Sequence, residues 1–170
     1  MPDGREIRYQ YDTDSRRIRT IYADGSVERC FYDGNGNLIK KVRPENYMAE
    51  TDDGIGITYV YDSMNRLVQV TDEDGQVQHT FRYNASGRLE EETDSAGHAT
   101  LYTYDLTGNR TGMWEPVEMS DGREVLYRVT LYEYDSESNK IREKRGLDKV
   151  RAGQIPVRTH ELRFTCDARN

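Results

Sequence analysis

The chain has 170 residues, enough for one ordinary domain, with 31 acidic and 24 basic residues and a formal net charge of −7. The charges are interspersed without long runs of one sign, which describes a solvated surface and argues against a nucleic-acid groove. No apolar run approaches the ~18 residues of a membrane-spanning helix, and Met1-Pro2-Asp3-Gly4-Arg5 lacks the apolar core of a signal peptide.

Leu, Ile, Val and Phe together make up 31 of the 170 residues, below the roughly 20% at which disorder is suspected. The 13 Tyr supply apolar ring area that this count misses, so a folded chain with a thin core is expected.

Compared with itself, the chain repeats. Aligned on one tyrosine, the copies are anchored at Tyr11, Tyr32, Tyr61, Tyr83, Tyr104 and Tyr134, at spacings of 21, 29, 22, 21 and 30 residues. A weaker seventh copy, Phe164-Thr165-Cys166-Asp167, puts Cys166 at the anchor position. Such self-similarity marks stacked units without one centralised core.

Ahead of each anchor the residues alternate as a half-buried strand requires. In Val77-Gln78-His79-Thr80-Phe81-Arg82-Tyr83 the odd positions share one face and the polar even positions the other. Paired rings recur there: Tyr9/Tyr11, Tyr59/Tyr61, Phe81/Tyr83, Tyr102/Tyr104 and Tyr132/Tyr134, with Cys30/Tyr32 the smaller pair. Stacked in register, they would form ladders contributing roughly 0.2–1 kcal/mol per cross-strand pair.

A turn follows each anchor. Its first residue is Asp12, Asp33, Asp62, Asn84, Asp105 or Asp135. Since Asn84 serves, the turn needs a side-chain oxygen acceptor and not a charge, as in an Asx turn. Four residues past the anchor stand Ser15, Gly36, Asn65, Gly87, Gly108 and Ser138. Gly and Asn suit the left-handed residue that closes a type I turn with a bulge, and the two Ser suit it less.

Return strands begin at Leu38, Leu67, Leu89 and Lys140. They run to second turns at Asp24-Gly25, Asp72-Glu73-Asp74-Gly75 and Asp94-Ser95-Ala96-Gly97. Two short strands and two turns per ~21 residues predict an all-β chain nearly free of helix.

Two spacers are longer by eight or nine residues, Val42 to Thr58 and Met113 to Thr130, and suggest one projecting hairpin or loop every third repeat. A third, Arg145 to His160, comes sooner than that rule predicts.

The chemistry expected of the chain is sparse. Asp33-Gly34-Asn35-Gly36-Asn37 fails as a calcium loop, because Leu38 falls where the required glycine should be and Pro44 where the bidentate Glu should be. Asp72-Glu73-Asp74-Gly75 reads as an exposed acidic turn. His79, His98 and His160 lie in different repeats without metal-ligand spacing. No nucleophile elbow or phosphate loop is present, so neither catalysis nor a cofactor is expected. Cys30 and Cys166 read as thiols filling aromatic slots, since a disulfide would have to link distant copies. Trp114 in the second spacer is the one candidate ligand contact: an exposed ring there would stack on a sugar or a partner, although packing against the neighbouring spacer is preferred.

These residues resemble the YD repeats of the Rhs and teneurin-like family. Tyr32-Asp33-Gly34-Asn35-Gly36-Asn37-Leu38-Ile39 fits the Tyr-Asp-x-x-Gly-Asn/Arg-Leu pattern best, and Tyr83-Asn84-Ala85-Ser86-Gly87-Arg88-Leu89 differs only at Asn84. The resemblance covers practically the whole chain. It implies tandem hairpins in a continuous antiparallel sheet that spirals as an arc of a hollow β-shell. Residues 1–170 are then one repeat array, six copies and a truncated seventh, cut from a longer protein. In that family the shell encloses a C-terminal toxin or serves adhesion. The features that close the shell, the self-cleaving aspartyl protease motif and a toxin domain are not found here.

The implied role is a structural, non-catalytic shell segment, secreted or on a bacterial surface. Its partners would be the rest of the shell and the enclosed polypeptide. The alternative is an adhesion or carbohydrate-binding module using Trp114 and the spacers, with glycans or cell-surface proteins as partners. Open strand edges would also favour self-association.

Overall fold

The computed structural model describes residues 6–120 and 124–151. The seventh copy at Cys166, together with His160 and the end of the third spacer, lies outside the described residues. The strands are β1 (Arg8–Tyr11), β2 (Arg17–Ile21), β3 (Val27–Tyr32) and β4 (Leu38–Val42), then β5 (Tyr47–Met48), β6 (Asp53–Gly54), β7 (Ile57–Tyr61) and β8 (Leu67–Thr71). They continue as β9 (Val77–Tyr83), β10 (Leu89–Asp94), β11 (Ala99–Tyr104), β12 (Arg110–Ser120), β13 (Glu124–Tyr134) and β14 (Lys140–Arg151). The chain is nearly all β, a tandem array of hairpins. Twelve strands form an antiparallel sheet that follows chain order from β1 to β14, omits only β5 and β6, and does not close.

That order follows from the turns. Nine of the connections are short turns left-handed at their last residue, so the strands they join have no choice but to pair, while β4 reaches β7 through the first spacer. The second class of turn repeats the geometry of the first: Asp72 N–H donates to the Gln76 carbonyl and Gly75 N–H to the Asp72 carbonyl. At the one corner that carries Tyr22 in place of the acid, Asp24 Oδ1 takes the Ser26 N–H at 3.0 Å and the Ser26 hydroxyl at 2.7 Å.

The chain divides into two compact units, Met1–Thr80 and Phe81–Asn170. In the first unit the fully enclosed side chain is Val42, with Cys30 and Thr20 also buried. Burial pushes the Cys30 thiol pKa up. The first spacer leaves the main sheet: a single 3-10 turn over Pro44–Asn46 leads into the small β5–β6 hairpin. Two glycines let this spacer lie close to its neighbours. A Cβ on Gly54 would stand 1.9 Å from the Asn46 carbonyl oxygen, and one on Gly56 would stand 2.5 Å from that of Lys41.

The second unit holds the larger core: Leu101, Trp114, Val125, Tyr127 and Val129, with Ala99 and Leu131 packed against it. Here the two long spacers part company. The second is no separate projection, because β12 and β13 carry it onward as main-sheet strands paired from Gly112↔Leu131 to Ser120↔Glu124. Pro116, which has no N–H for the ladder, is accommodated by an irregularity that leaves Val117 unpaired between Pro116 and Glu118. The expected equivalence of the spacers therefore fails: one folds on itself and the other lengthens the sheet.

Trp114 as an exposed ligand contact is likewise overturned. The ring is 3% exposed. Register places it beside Leu101 on one neighbour and Val129 on the other. With Gly112 two residues earlier on the same face, the ring folds back over a position without a side chain; a Cβ there would be 2.2 Å from it.

In β9, His79, Phe81 and Tyr83 are half-buried and Thr80 and Arg82 exposed. Val77, 41% exposed, and Gln78, half-buried, both depart from the expected alternation, because they open the strand where the register against β8 slips.

Candidate functional site

The unit that recurs is the hairpin corner. In five of them the ladder slips by one residue at the anchor tyrosine, as at Phe31/Tyr32 and Thr103/Tyr104. The slip is the bulge that a type I turn closed by a left-handed residue imposes. That residue has φ +63° at Ser15, +87° at Gly36, +60° at Asn65, +79° at Gly87, +105° at Gly108 and +66° at Ser138. Serine thus adopts the conformation twice, held there by the surrounding hydrogen bonds.

Those bonds converge on the residue after the anchor. Asp12 Oδ1 accepts the N–H of Asp14 at 3.0 Å and of Arg16 at 2.9 Å; Asp62 Oδ1 accepts those of Met64 and Arg66 at 2.8 and 3.0 Å. Asp33 and Asp135 do the same, and Asp105 Oδ1 takes Gly108 and Asn109. At Asn84 the amide oxygen receives Ser86 and Arg88 N–H, both at 3.0 Å.

The second carboxylate oxygen binds a side chain five residues past the anchor. Arg16 Nε donates to Asp12 and Arg66 Nε to Asp62, each at 2.7 Å, and Asn37 and Asn139 amides donate to Asp33 and Asp135 at 2.9 and 3.0 Å. The backbone N–H of Arg16 at Asp12, and the side chains of Asn37, Arg66 and Asn139 at Asp33, Asp62 and Asp135, hold these carboxyls below the usual aspartate range. The Thr107 hydroxyl, with the Asn109 and Gly108 N–H groups, lowers Asp105 to about 2.

A folded pKa below the unfolded one contributes stability that is complete above the ordinary aspartate value of about 3.9 and disappears as pH falls through the folded value. The melting temperature should therefore fall steadily between about pH 4 and pH 2. Asp105→Asn, which keeps the acceptor as Asn84 does, should make that fall shallower. An unchanged acid limb in Asp105→Asn would show that its carboxylate is not among the groups responsible.

The same position also ties corners to one another. Arg16 Nη1 reaches the Asp33 carbonyl at 3.3 Å, and the Asn35 and Asn37 amides meet Asn65 Oδ1 at 3.0 and 2.9 Å. In the second unit Arg88 Nη1 reaches the Asp105 carbonyl at 2.9 Å, and the Asn109 amide reaches Ser138 Oγ at 3.1 Å.

Anchor tyrosines add a second tie. The hydroxyls of Tyr32, Tyr61, Tyr104 and Tyr134 donate to the carbonyls of Arg17, Leu38, Leu89 and Arg110 at 3.1, 3.0, 2.9 and 2.9 Å. Each acceptor is the first residue of the return strand one hairpin earlier. Tyr104→Phe should cost about 0.5–1.5 kcal/mol in urea unfolding, the net worth of one such bond; no change would mean that water replaces it fully.

A return strand stands between successive anchor strands, so that Tyr59 faces Val70 and Val70 faces His79, and the expected ring ladder does not run there strand to strand. Cations fill the gaps instead. Arg16 lies 5.1 Å from the Tyr32 ring centre and Arg88 5.7 Å from that of Tyr104.

One cluster had no signature in the repeat pattern. Asp52, at φ +53°, accepts from Arg19 and, at 3.2 Å, from Arg29 Nε, and its Oδ1 takes the Tyr47 hydroxyl at 2.8 Å. Lys40 adds a bond to Asp53 at 2.8 Å. These contacts pin the β5–β6 hairpin to β2, β3 and β4. Among the described residues no group of three or more His, Cys, Asp or Glu is placed to hold a metal, and no helix is long and apolar enough to cross a membrane. His98 Nδ1 lies 3.1 Å from Asp94 Oδ2, inside its own turn.

The model of the RHS repeat family matches residues 32–77 and 83–113. The chain carries RHS repeats. The matched RHS stretches contain the corners at Tyr32, Tyr61, Tyr83 and Tyr104, and the same Asx bonds recur at Tyr11 and Tyr134 beyond them.

Among curated proteins, the double-stranded DNA deaminase toxin A of Burkholderia cenocepacia (strain H111) is 30% identical over 112 residues, 66% of this chain and 7% of the toxin. Among solved structures, TcdB2-TccC3-Cdc42 matches with a TM-score of 0.60 and 18% identity, covering 79% of this chain and 7% of that one. TcdB2-TccC3 matches at 0.53 and 12%, covering 82% and 9%. At these identities the likeness is one of fold. The RHS repeats here span under a tenth of the length of any of these relatives.

Proposed function

We propose that the chain is a non-catalytic length of RHS shell wall that encloses or presents a C-terminal toxin-like polypeptide, in a toxin system acting outside the cell that makes it. The observation that carries this reading is the RHS array itself: one unclosed sheet in which, within each unit, a hairpin is tied to the next, so that stability is local and length can be added repeat by repeat. A wall needs those properties, and an active site needs none of them. The relation to a deaminase toxin, and the fold shared with TcdB2-TccC3, agree with it.

Limited proteolysis of the product of the full reading frame is the test. The polypeptide downstream of the repeats should survive protease until the wall is opened by denaturant. Cleavage at the rate of the same polypeptide expressed alone would overturn the proposal. The adhesion alternative, with glycans as partners, loses the aromatic contact on which it rested, because Trp114 is enclosed.

A further inference from the structure

We propose that the face of β12–β14 turned away from the Trp114 core is a docking groove for an extended acidic peptide. Met113, Glu115, Arg128, Thr130 and Tyr132 alternate along their strands with the residues of that core, and with Arg110, Lys140, Glu143 and Arg145 they line a depression of about 570 Å³. The site does not depend on what the shell contains.

Its charge runs against that of the chain. The net charge of the protein is −7, yet the groove holds four cations and two carboxylates. Glu143 is already taken, by Lys140 Nζ at 2.9 Å and Arg145 at 2.8 Å. Arg110 and Arg128 form no ion pair among the described residues. Glu115 stands opposite Arg128 in the ladder without pairing to it. Arg110 rests against rings, 5.8 Å from the centre of Tyr102 and 5.4 Å from that of Tyr132, which positions its guanidinium while leaving its donor fork without a carboxylate.

Spacing selects the ligand. Gly112 pairs with Leu131, so Arg110 and Arg128 are offset by about five residues, or about 17 Å along the strands. An inorganic anion engages one end at a time. In an extended peptide, acidic residues at i and i+4 lie about 14 Å apart on one face, close enough for both guanidinium forks to grip a carboxylate.

Calorimetry with the peptide GETGTEG, its glutamine twin GQTGTQG and inorganic phosphate tests this. The acidic peptide should bind, and roughly 0.5 M salt should weaken it. Arg110→Gln and Arg128→Gln should each weaken it about tenfold, and the pair should abolish it. The proposal is overturned if GETGTEG does not bind, if GQTGTQG binds equally, if phosphate competes at the same concentration, or if both substitutions leave binding unchanged. Arg128 is exposed, so Arg128→Gln should keep the far-ultraviolet circular dichroism of the parent. If Arg110→Gln loses that spectrum, the single Arg128 variant decides the matter.

Discussion

Trp114→Ala should destabilise the second unit by about 3–5 kcal/mol, the range for truncating a large enclosed aromatic. That is a sizeable share of the ~5–15 kcal/mol that holds an ordinary domain together. The core there consists of five buried side chains, with Ala99 and Leu131 against them, and Trp114 is the largest. Register fixes it between Leu101 and Val129, so the strands cannot close over the space without breaking the ladder.

The indole itself sharpens the comparison. Its Nε1 is buried without a hydrogen-bond partner among the described residues, and an unmet donor of this kind is a standing penalty of about 1–3 kcal/mol. Trp114→Phe keeps most of the ring and removes that donor, so its loss should stay within about 1.5 kcal/mol. Urea unfolding of the two variants measures the difference. As the single Trp of the chain, Trp114 also reports directly: its emission should be blue-shifted and protected from acrylamide until the unit unfolds. Equal losses in the two variants would mean that the ring's volume is not what holds this core.

Gly54→Ala should release the β5–β6 hairpin from the sheet. The added carbon would overlap the Asn46 carbonyl oxygen at 1.9 Å, and it would sit 3.0 Å from Val42 Cγ1. Backbone cannot yield as the tip of a side chain can, so an overpacking penalty of about 1–3 kcal/mol is expected. The Asp52 contacts to Arg19 and Arg29 should go with it. Protease sites between residues 44 and 56 should open in the variant before the rest of the first unit melts. A variant with parental melting temperature and cleavage pattern would show that the hairpin is not held by this approach.

The corners were legible in the sequence because their physics is local. Asp or Asn after the anchor, and Gly, Asn or Ser three residues later, are each required by a turn whose atoms all lie within five residues. Arg and Asn five residues past the anchor belong to the same recurring motif. Both are multi-donor side chains, and their recurrence marks the ties from Arg16 to Asp33 and from Asn109 to Ser138. Tyrosine at all six anchors, where the preceding ring position admits Phe81 or Cys30, likewise hinted at the hydroxyl bond to the previous hairpin.

The sequence by itself determined the array: its all-β class, the position of each corner and the turn chemistry there, since short-range sterics and hydrogen bonds settle those. Tertiary structure alone decided the fate of the spacers and of Trp114. Asp52 meets Arg19 and Arg29 across gaps of 33 and 23 residues, and no periodicity encodes such a meeting. Whether a ring at position 114 faces solvent or core depends on which strands flank β12 and in what register. A parity set by pairing partners cannot be read from β12 alone.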